Sequence, residues 1–465
     1  MPPSGNSRAD GLGRSWLAIA GRIAVCAAAV LLTMATASAA EPEASASPAK
    51  DKDEARAWNW HGQSTFVEQG HGGFRSPYQT DNSLRGGGQG RETFSLTGSL
   101  GLRLWYGGEL YINPEVFQGF GLASTHGLGG FSNGEAQKGG SVEPIIYIAR
   151  AYYKHTFGYG GETEKVTDDF NQLPGIRDIS RLTLTIGRFA VNDFFDGNTY
   201  AKDSRTQFLN YSMWASGGFD YGADQKGYGG GIVLDYNQKT WAFRAGYVLL
   251  PIHPNAQNFS WEIGRQGQYL AELELRYAVL ERAGVLRLLA WTSRANSGSY
   301  REAVADPLFD GEESIQRTWR VRTHYGYGIN WEQAVSADLG VFARWSWRDA
   351  QSEVTSWSDI DHTLSAGLAL KGSKWGRPND TLGLGAAVNG LSRAHADYFA
   401  AGGIGVTVGD GQINYNGERM LEAYYAFGFT PNHSLTFDYQ YVTNPAYNAD
   451  RGPVSIFAAR LHGQF

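Results

Sequence analysis

The sequence predicts an all-β fold: a transmembrane antiparallel β-barrel of about sixteen strands, with long extracellular loops and short periplasmic turns. Three observations predict it. Apolar and polar residues alternate with a period of two along much of the chain, which is the strand signature. The connections between these runs are alternately short and long, as in a membrane barrel. Finally, the chain is 42% hydrophobic and 13% aromatic, yet its mean hydropathy is only −0.36. A barrel in lipid needs only one greasy face on each strand, so the two figures are compatible.

The chain opens with an address. Arg8, Arg14 and Arg22 precede the apolar run Ile23 to Met34, and Ala37-Ser38-Ala39 supplies a small-residue cleavage site. This is the pattern of a secretory signal peptide over 1–39, and the run is too short to span a membrane as a helix. Cys26, the single cysteine, precedes most of the apolar core and follows Val25, which argues against a lipidation signal. Residues 40–56 carry no aromatic, are rich in Ala, Glu, Lys, Pro and Ser, and read as a solvated, flexible periplasmic leader. The barrel is expected over 57–465.

Strands are expected near 58–68, 93–106, 109–117, 144–157, 180–190, 227–236, 240–249, 268–277, 284–293, 320–333, 338–348, 361–371, 381–390, 419–429, 434–443 and 454–465. The alternation is clear in several. Leu96, Leu100, Leu102 and Leu104 oppose Thr97, Ser99, Arg103 and Trp105; Leu435, Phe437, Tyr439 and Tyr441 oppose Thr436, Asp438 and Gln440. Short connections fall at Gly107-Gly108, Asn237–Lys239, Ala278–Ala283, Ala334–Ala337 and Thr430–His433. Long ones fall at 69–92, 118–143, 191–226, 250–267, 294–319, 349–360, 391–418 and 444–453. The segment 158–179 is a long connection on the short-turn side, and is expected to be ordered by its own packing or by a neighbour.

A closed barrel this large has a lumen too wide for its own side chains to fill. The apolar face must then meet lipid and the charged face a wet interior. Trp58, Trp60, Tyr106, Trp241, Trp345, Trp347, Tyr439 and Tyr441 near strand ends suit the interfacial girdles. Net charge is −6, where a nucleic-acid binder would show a basic excess. Abundant aromatics exclude disorder, and one Cys excludes a disulfide scaffold.

Four segments resemble the carbohydrate-selective porin family, the OprB-like outer-membrane porins: Tyr111 to Glu135, Ile146 to Gly158, Leu182 to Gly231 and Glu422 to Pro453. With the strand pattern between them, the resemblance covers about residues 57–465. It implies a sixteen-stranded barrel that passes sugars by passive diffusion. Some members carry a longer N-terminal helical region, for which the leader here is too short.

The chain has no HExxH, GxSxG or Walker loop, and its ten histidines are scattered singly, so no enzyme and no cofactor is expected. The run Asp193 to Asn198 with Asp203 lacks the calcium-loop spacing and reads as a turn rich in acceptors. Charges on the polar parity are the sharper candidates for the substrate path: Arg103, Glu115, Arg150, Lys154, Arg244, Glu272, Glu274, Arg276, Arg322, Glu332, Arg344 and Arg460. Arg103, Glu115 and Arg150 are the leading candidates for a constriction. Arg offers a planar fork of donors and carboxylates offer acceptors, which suits a neutral polyol; aromatic faces such as Trp105 offer stacking surface. The connection 191–226 adds Asp196, Arg205 and Trp214, and its many large aromatics point to a loop folded into the barrel mouth.

The expected function is passive, carbohydrate-selective diffusion of mono- or oligosaccharides across the outer membrane of a Gram-negative bacterium. A general or anion-selective diffusion porin is the alternative, favoured by the excess of lumenal Arg. A structural or adhesive surface protein and a barrel hydrolase are further rivals. Expected partners are sugars, outer-membrane lipids and lipopolysaccharide, and the barrel-assembly machinery through the C-terminal Phe465, with no nucleic acid; the assembly is a monomer or homotrimer.

Overall fold

The computed structural model describes residues 55–465 apart from Trp357; the expected signal peptide lies outside the described residues. Sixteen strands close into one antiparallel barrel. They are β1 (Trp58–His71), β2 (Gln89–Trp105), β3 (Gly108–Gly119), β4 (Ser141–Gly158), β7 (Arg181–Phe189), β8 (Gly229–Asn237), β9 (Trp241–Val248), β10 (Gly267–Val279), β11 (Arg282–Ser297), β12 (Arg320–Ala334), β13 (Leu339–Arg348), β14 (His362–Gly372), β15 (Arg377–Gly390), β16 (Glu418–Thr430), β17 (His433–Thr443) and β18 (Val454–Gln464). Between β4 and β7, β5 (Thr163–Val166) and β6 (Gly175–Asp178) form a separate two-stranded sheet.

Each strand pairs with its neighbours in sequence, and β1 pairs with β18 from Gln63↔Gln464 to His71↔Ile456. Beyond that register, Gly62 and Phe465 exchange two backbone hydrogen bonds of 2.9 Å. The Phe465 ring meets Trp60 edge-on at 5.6 Å. The last residue is therefore part of the seam.

Side-chain alternation then sorts the two faces. On β2, Thr93, Ser95, Thr97 and Ser99 are buried inside while Leu96, Leu100 and Leu104 are exposed outside. On β17, Thr436, Asp438 and Gln440 are buried while Phe437 and Tyr441 are exposed. This inverts a soluble barrel, as an apolar solvent outside requires. The tightest turns lie on the side of the chain termini. The β10–β11 turn places Leu280 and Glu281 at φ 49° and 61°, both in the left-handed region that a two-residue type I′ hairpin demands.

The connection between β4 and β7 is ordered by its own packing and by the wall. Its β5–β6 hairpin turns the tip back into the barrel. The Asn171 side-chain oxygen accepts from Ser99 (3.0 Å) and Asn113 (2.8 Å). The Leu173 N–H donates to the Tyr111 hydroxyl at 3.0 Å. Asp168 accepts from Asn59 (2.7 Å), contacts the His61 ring at 3.0 Å and pairs with Arg56 at 2.8 Å.

The lumen is entered from the opposite end. The connection between β7 and β8 folds inward, so that Phe195, Phe208, Tyr211, Met213, Phe219 and Tyr221 are buried. They pack on apolar residues of the inner wall. Phe208 meets Phe342 and Tyr424 edge-on at 5.6 and 4.9 Å, and Phe219 meets Trp291 at 4.9 Å. A separate apolar cluster joins the short helices Tyr300–Val304, Glu312–Gln316 and Arg393–Ala400 of the long connections.

Single-cysteine variants test the sidedness. Leu308 on a long connection and Leu280 on a short turn are both highly exposed. A membrane-impermeant thiol reagent applied to whole cells should label Leu308→Cys at once, and Leu280→Cys only after the outer membrane is permeabilised. The opposite order would invert the barrel.

Candidate functional site

Glu115 on β3 anchors the first part of the lumenal charge network. It is wholly buried and accepts from Thr97 at 2.5 Å, from Tyr228 at 3.1 Å and from Tyr147. Arg205 on the inserted segment pairs with Glu115 at 2.9 Å and with Glu135 at 3.3 Å. Lys138 pairs with the same two carboxylates at 3.3 and 2.8 Å. Two acids thus face two bases. Burial opposes the charge on Glu135, but Arg205 and Lys138 overcome it and hold the carboxyl below its usual range.

The network continues along the wall. Arg150 grips Asp193 with two bonds of 2.7 and 2.6 Å, and its guanidinium lies 5.3 Å from the Tyr228 ring centre. Arg244 pairs with Asp235 (2.8 Å), Glu272 (2.8 Å) and Glu274 (3.0 Å). Glu274 also takes Arg276 (2.7 Å) and Arg287 (2.9 Å). The β3–β4 pairing shifts register between Asn113 and Pro114. That bulge lets Tyr147 and Arg150, of opposite parity, both reach inward. Lys202 on the inserted segment is exposed to the lumen and, among the described residues, its ammonium has no hydrogen bond or ion pair. Its charged surroundings are Asp193, Arg287, Arg244 and Glu272.

Other candidates have different places. Trp105 is exposed on the outer face beside Tyr153. A register shift between Arg103 and Trp105 breaks the alternation, which corrects the expectation that Trp105 faces the path. Arg103 does not share a ring with Glu115. It lies six residues beyond Thr97, the partner of Glu115, hence about 20 Å along the strand, and binds Glu109 (3.3 Å) and the Pro174 carbonyl (3.1 Å) under the hairpin. Lys154 joins it there, pairing with Glu109 at 2.7 Å. Arg322 sits at the outer end of β12, paired with Glu302 at 2.8 Å.

Asp196, Trp214 and Arg344 are enclosed between the inserted segment and the wall rather than set on an open path. Arg344 donates to the Met213 carbonyl (2.8 Å) and the Ala201 carbonyl (2.6 Å), and contacts Asp196 at 3.3 Å. Trp214 packs on Tyr211 at 5.0 Å and Phe131 at 6.5 Å. Arg460 similarly donates to the Ser204 and Gln207 carbonyls, and Glu332 accepts from Thr199. In the acceptor-rich turn, protein donors reach Asp193, Asp196, Asn198 and Asp203.

Glu135, Lys138, Tyr147, Lys202, Tyr228 and Arg287 were not among the sequence candidates. The opposite charges of Glu135 and Lys138, three apart between glycines, were the available signal for that pair. Arg287 was hidden because Leu289 and Trp291 share its inner face, where they pack against the inserted segment.

A family model described as "Carbohydrate-selective porin, OprB family" matches residues 81–465. The chain belongs to this family. Porin AaxA of Chlamydia abortus is 23% identical over 287 residues, covering 60% of this chain and 53% of that protein. Porin AaxA of Chlamydia trachomatis is 20% identical over 344 residues, covering 70% and 64%. The match thus spans less than two thirds of either relative. The high-pH structure of Pseudomonas putida OprB shares the fold, with a TM-score of 0.65 at 15% identity, covering 88% of this chain and 94% of that one. The OprB family and the closed barrel place the chain in the outer membrane, in a class of channels rather than enzymes.

Arg344 tests how the segment is held. Removing one partner of a buried charge network costs about 3–5 kcal/mol. Arg344→Ala should therefore loosen the inserted segment, raising single-channel conductance and current noise while the protein still shifts on gels after heating. A quiet channel of unchanged conductance would show that Arg344 does not hold the segment.

Proposed function

We propose that the barrel passes mono- and oligosaccharides down their gradients, without energy coupling. The observation that carries this reading is the compensated network of Arg150–Asp193, Arg205–Glu115 and Arg244–Glu272. Paired charges leave many donors and acceptors along the wall but little net field. A neutral polyol can exchange water hydrogen bonds for wall hydrogen bonds, whereas an ion must compete with an existing pair. Family membership and the AaxA porins support a pore function. Lys202, with no ion pair among the described residues, favours a second reading in which small anions also pass.

Liposome swelling with neutral sugars of graded size, paired with reversal potentials in a potassium chloride gradient, separates the two readings. Sugar-dependent swelling with a reversal potential near zero supports the sugar pore. Strong anion selectivity with swelling set by size alone would replace it with a general anion porin. Arg150→Ala exposes the Asp193 carboxylate and should shift the reversal potential toward cations.

The outer lipid leaflet and the assembly machinery are proposed partners. The amphipathic final strand and its Phe465 suit capture as an unpaired edge before closure. Deleting Phe465 should slow insertion and leave protease-sensitive chain in the periplasm. Insertion at the wild-type rate would reduce Phe465 to a seam residue. Whether the pore works alone or as a trimer is read by cross-linking in intact membranes; the single-barrel pore above requires no partner copy.

A further inference from the structure

Four long connections line an open cavity of about 240 Å³ on the outer side of the charge network. It has room for several ordered waters. Its walls come from the connections that follow β3, β7, β9 and β15, and none of its lining side chains carries a fixed charge. That contrasts with the lumen immediately beside it. Gln137 precedes Lys138, and Gln225 lies three residues before Tyr228. Two of the three segments that supply the cavity's amides thus also supply the ring around Glu115.

The lining groups suit hydrogen bonding to a neutral partner. Gln137 Oε1 is buried and, among the described residues, has no hydrogen-bond partner. A Cβ on Gly227 would lie 3.0 Å from Gln137 Nε2, so close backbone approach fixes the amide. Gln225 accepts from Gln257 at 3.0 Å, which orients its own amide. Asn255 sits at φ 55°, and Ser124 belongs to a run, Ala123 to Thr125, with φ of 47°, 58° and 70°. Three consecutive left-handed residues without glycine mark backbone held in place by its surroundings, as at ligand clamps. The hold is visible. The Gly127 N–H donates to the Thr407 carbonyl at 2.7 Å, and at φ 86° a Cβ there would fall 1.8 Å from the Leu84 nitrogen. Burial pulls the His126 imidazole below its ordinary range, so at neutral pH its ring offers one donor and one acceptor. Phe131 supplies an apolar patch and is fixed by stacking on Tyr211 at 4.8 Å.

We propose that this cavity is a binding site for one neutral sugar unit, held by Gln137, Gln225, Asn255 and His126 before it meets the charged network. The proposal rests on the sugar-pore reading and adds a saturable step to it. No side chain lining the cavity carries a fixed charge to hold an inorganic ion, and an apolar ligand would leave amides unpaired. A polyol satisfies both conditions.

The experiment measures glucose- and maltose-dependent interruption of potassium chloride current in single channels, with liposome swelling by the same sugars alongside. In the wild type the interruption should saturate. Gln137→Leu removes the orphaned acceptor at similar size. Asn255→Gly removes a side chain from another connection and tolerates the positive φ. Each should raise the half-blocking concentration about 5- to 10-fold, the loss of one net hydrogen bond. Gluconate, which carries a charge, should interrupt the current more weakly than glucose. Sugar swelling without saturable interruption, or interruption unchanged in both variants, would overturn the vestibule site and leave the sugar pore standing. Absence of sugar swelling in the wild type would overturn both.

Discussion

Closure of the β1–β18 seam is the constraint on which the rest depends. A strand edge in hydrocarbon leaves backbone donors and acceptors without water, at several kcal/mol for each group. Pairing Gln63–His71 with Ile456–Gln464 removes that edge. With an even number of antiparallel strands, both ends of the barrel segment emerge on one side. The eight connections after the odd members of the circle are then all on the other side, free to lengthen. Closure also decides which parity meets lipid. Glu115, Arg150 and Arg244 become lumenal because Leu96, Ile148 and Phe243 must face outward.

The second constraint follows from size. A sixteen-stranded wall cannot fill its own lumen, so the β7–β8 connection enters it. A chain segment inside the barrel brings backbone groups that also need partners. Wall residues supply them: Arg344 for the Met213 and Ala201 carbonyls, Glu422 for the Leu209 N–H, and Glu272 for the Asp196 N–H. The inner wall is therefore both anchor and channel lining. Polar residues on the inward parity divide between these tasks according to where the segment passes.

That division explains what was legible in the sequence. Strand positions could be read because lipid imposes period-two alternation on every wall segment. The unusual 158–179 connection could be recognised by length alone, and the inward β7–β8 connection by aromatics such as Phe208 and Phe219 that have no place in open water. Placement within the lumen could not be read from parity. Parity reports only that Arg103, Glu115 and Arg344 point inward; depth and contact with the inserted segment separate them into three environments. Bulges defeat parity altogether, turning Trp105 outward and admitting Tyr147. Glu135 and Lys138 belong to a connection with no strand period, so their convergence on Glu115 depends on contacts distant in sequence.

The network's chemistry follows from having both signs within reach at once. An isolated Arg in an enclosed lumen would hold an anion too firmly to release it, and an isolated carboxylate would do the same to a cation. Opposing Arg150 with Asp193, and Arg244, Arg276 and Arg287 with Asp235, Glu272 and Glu274, cancels most of that attraction at long range while leaving polar atoms on the surface. The field of such pairs falls off steeply, so selection acts at contact distance. There the solute must present donors and acceptors of its own in place of the water it sheds. A hydroxyl offers both in one group and carries no charge to be trapped, and this is the property on which the proposed sugar pathway rests.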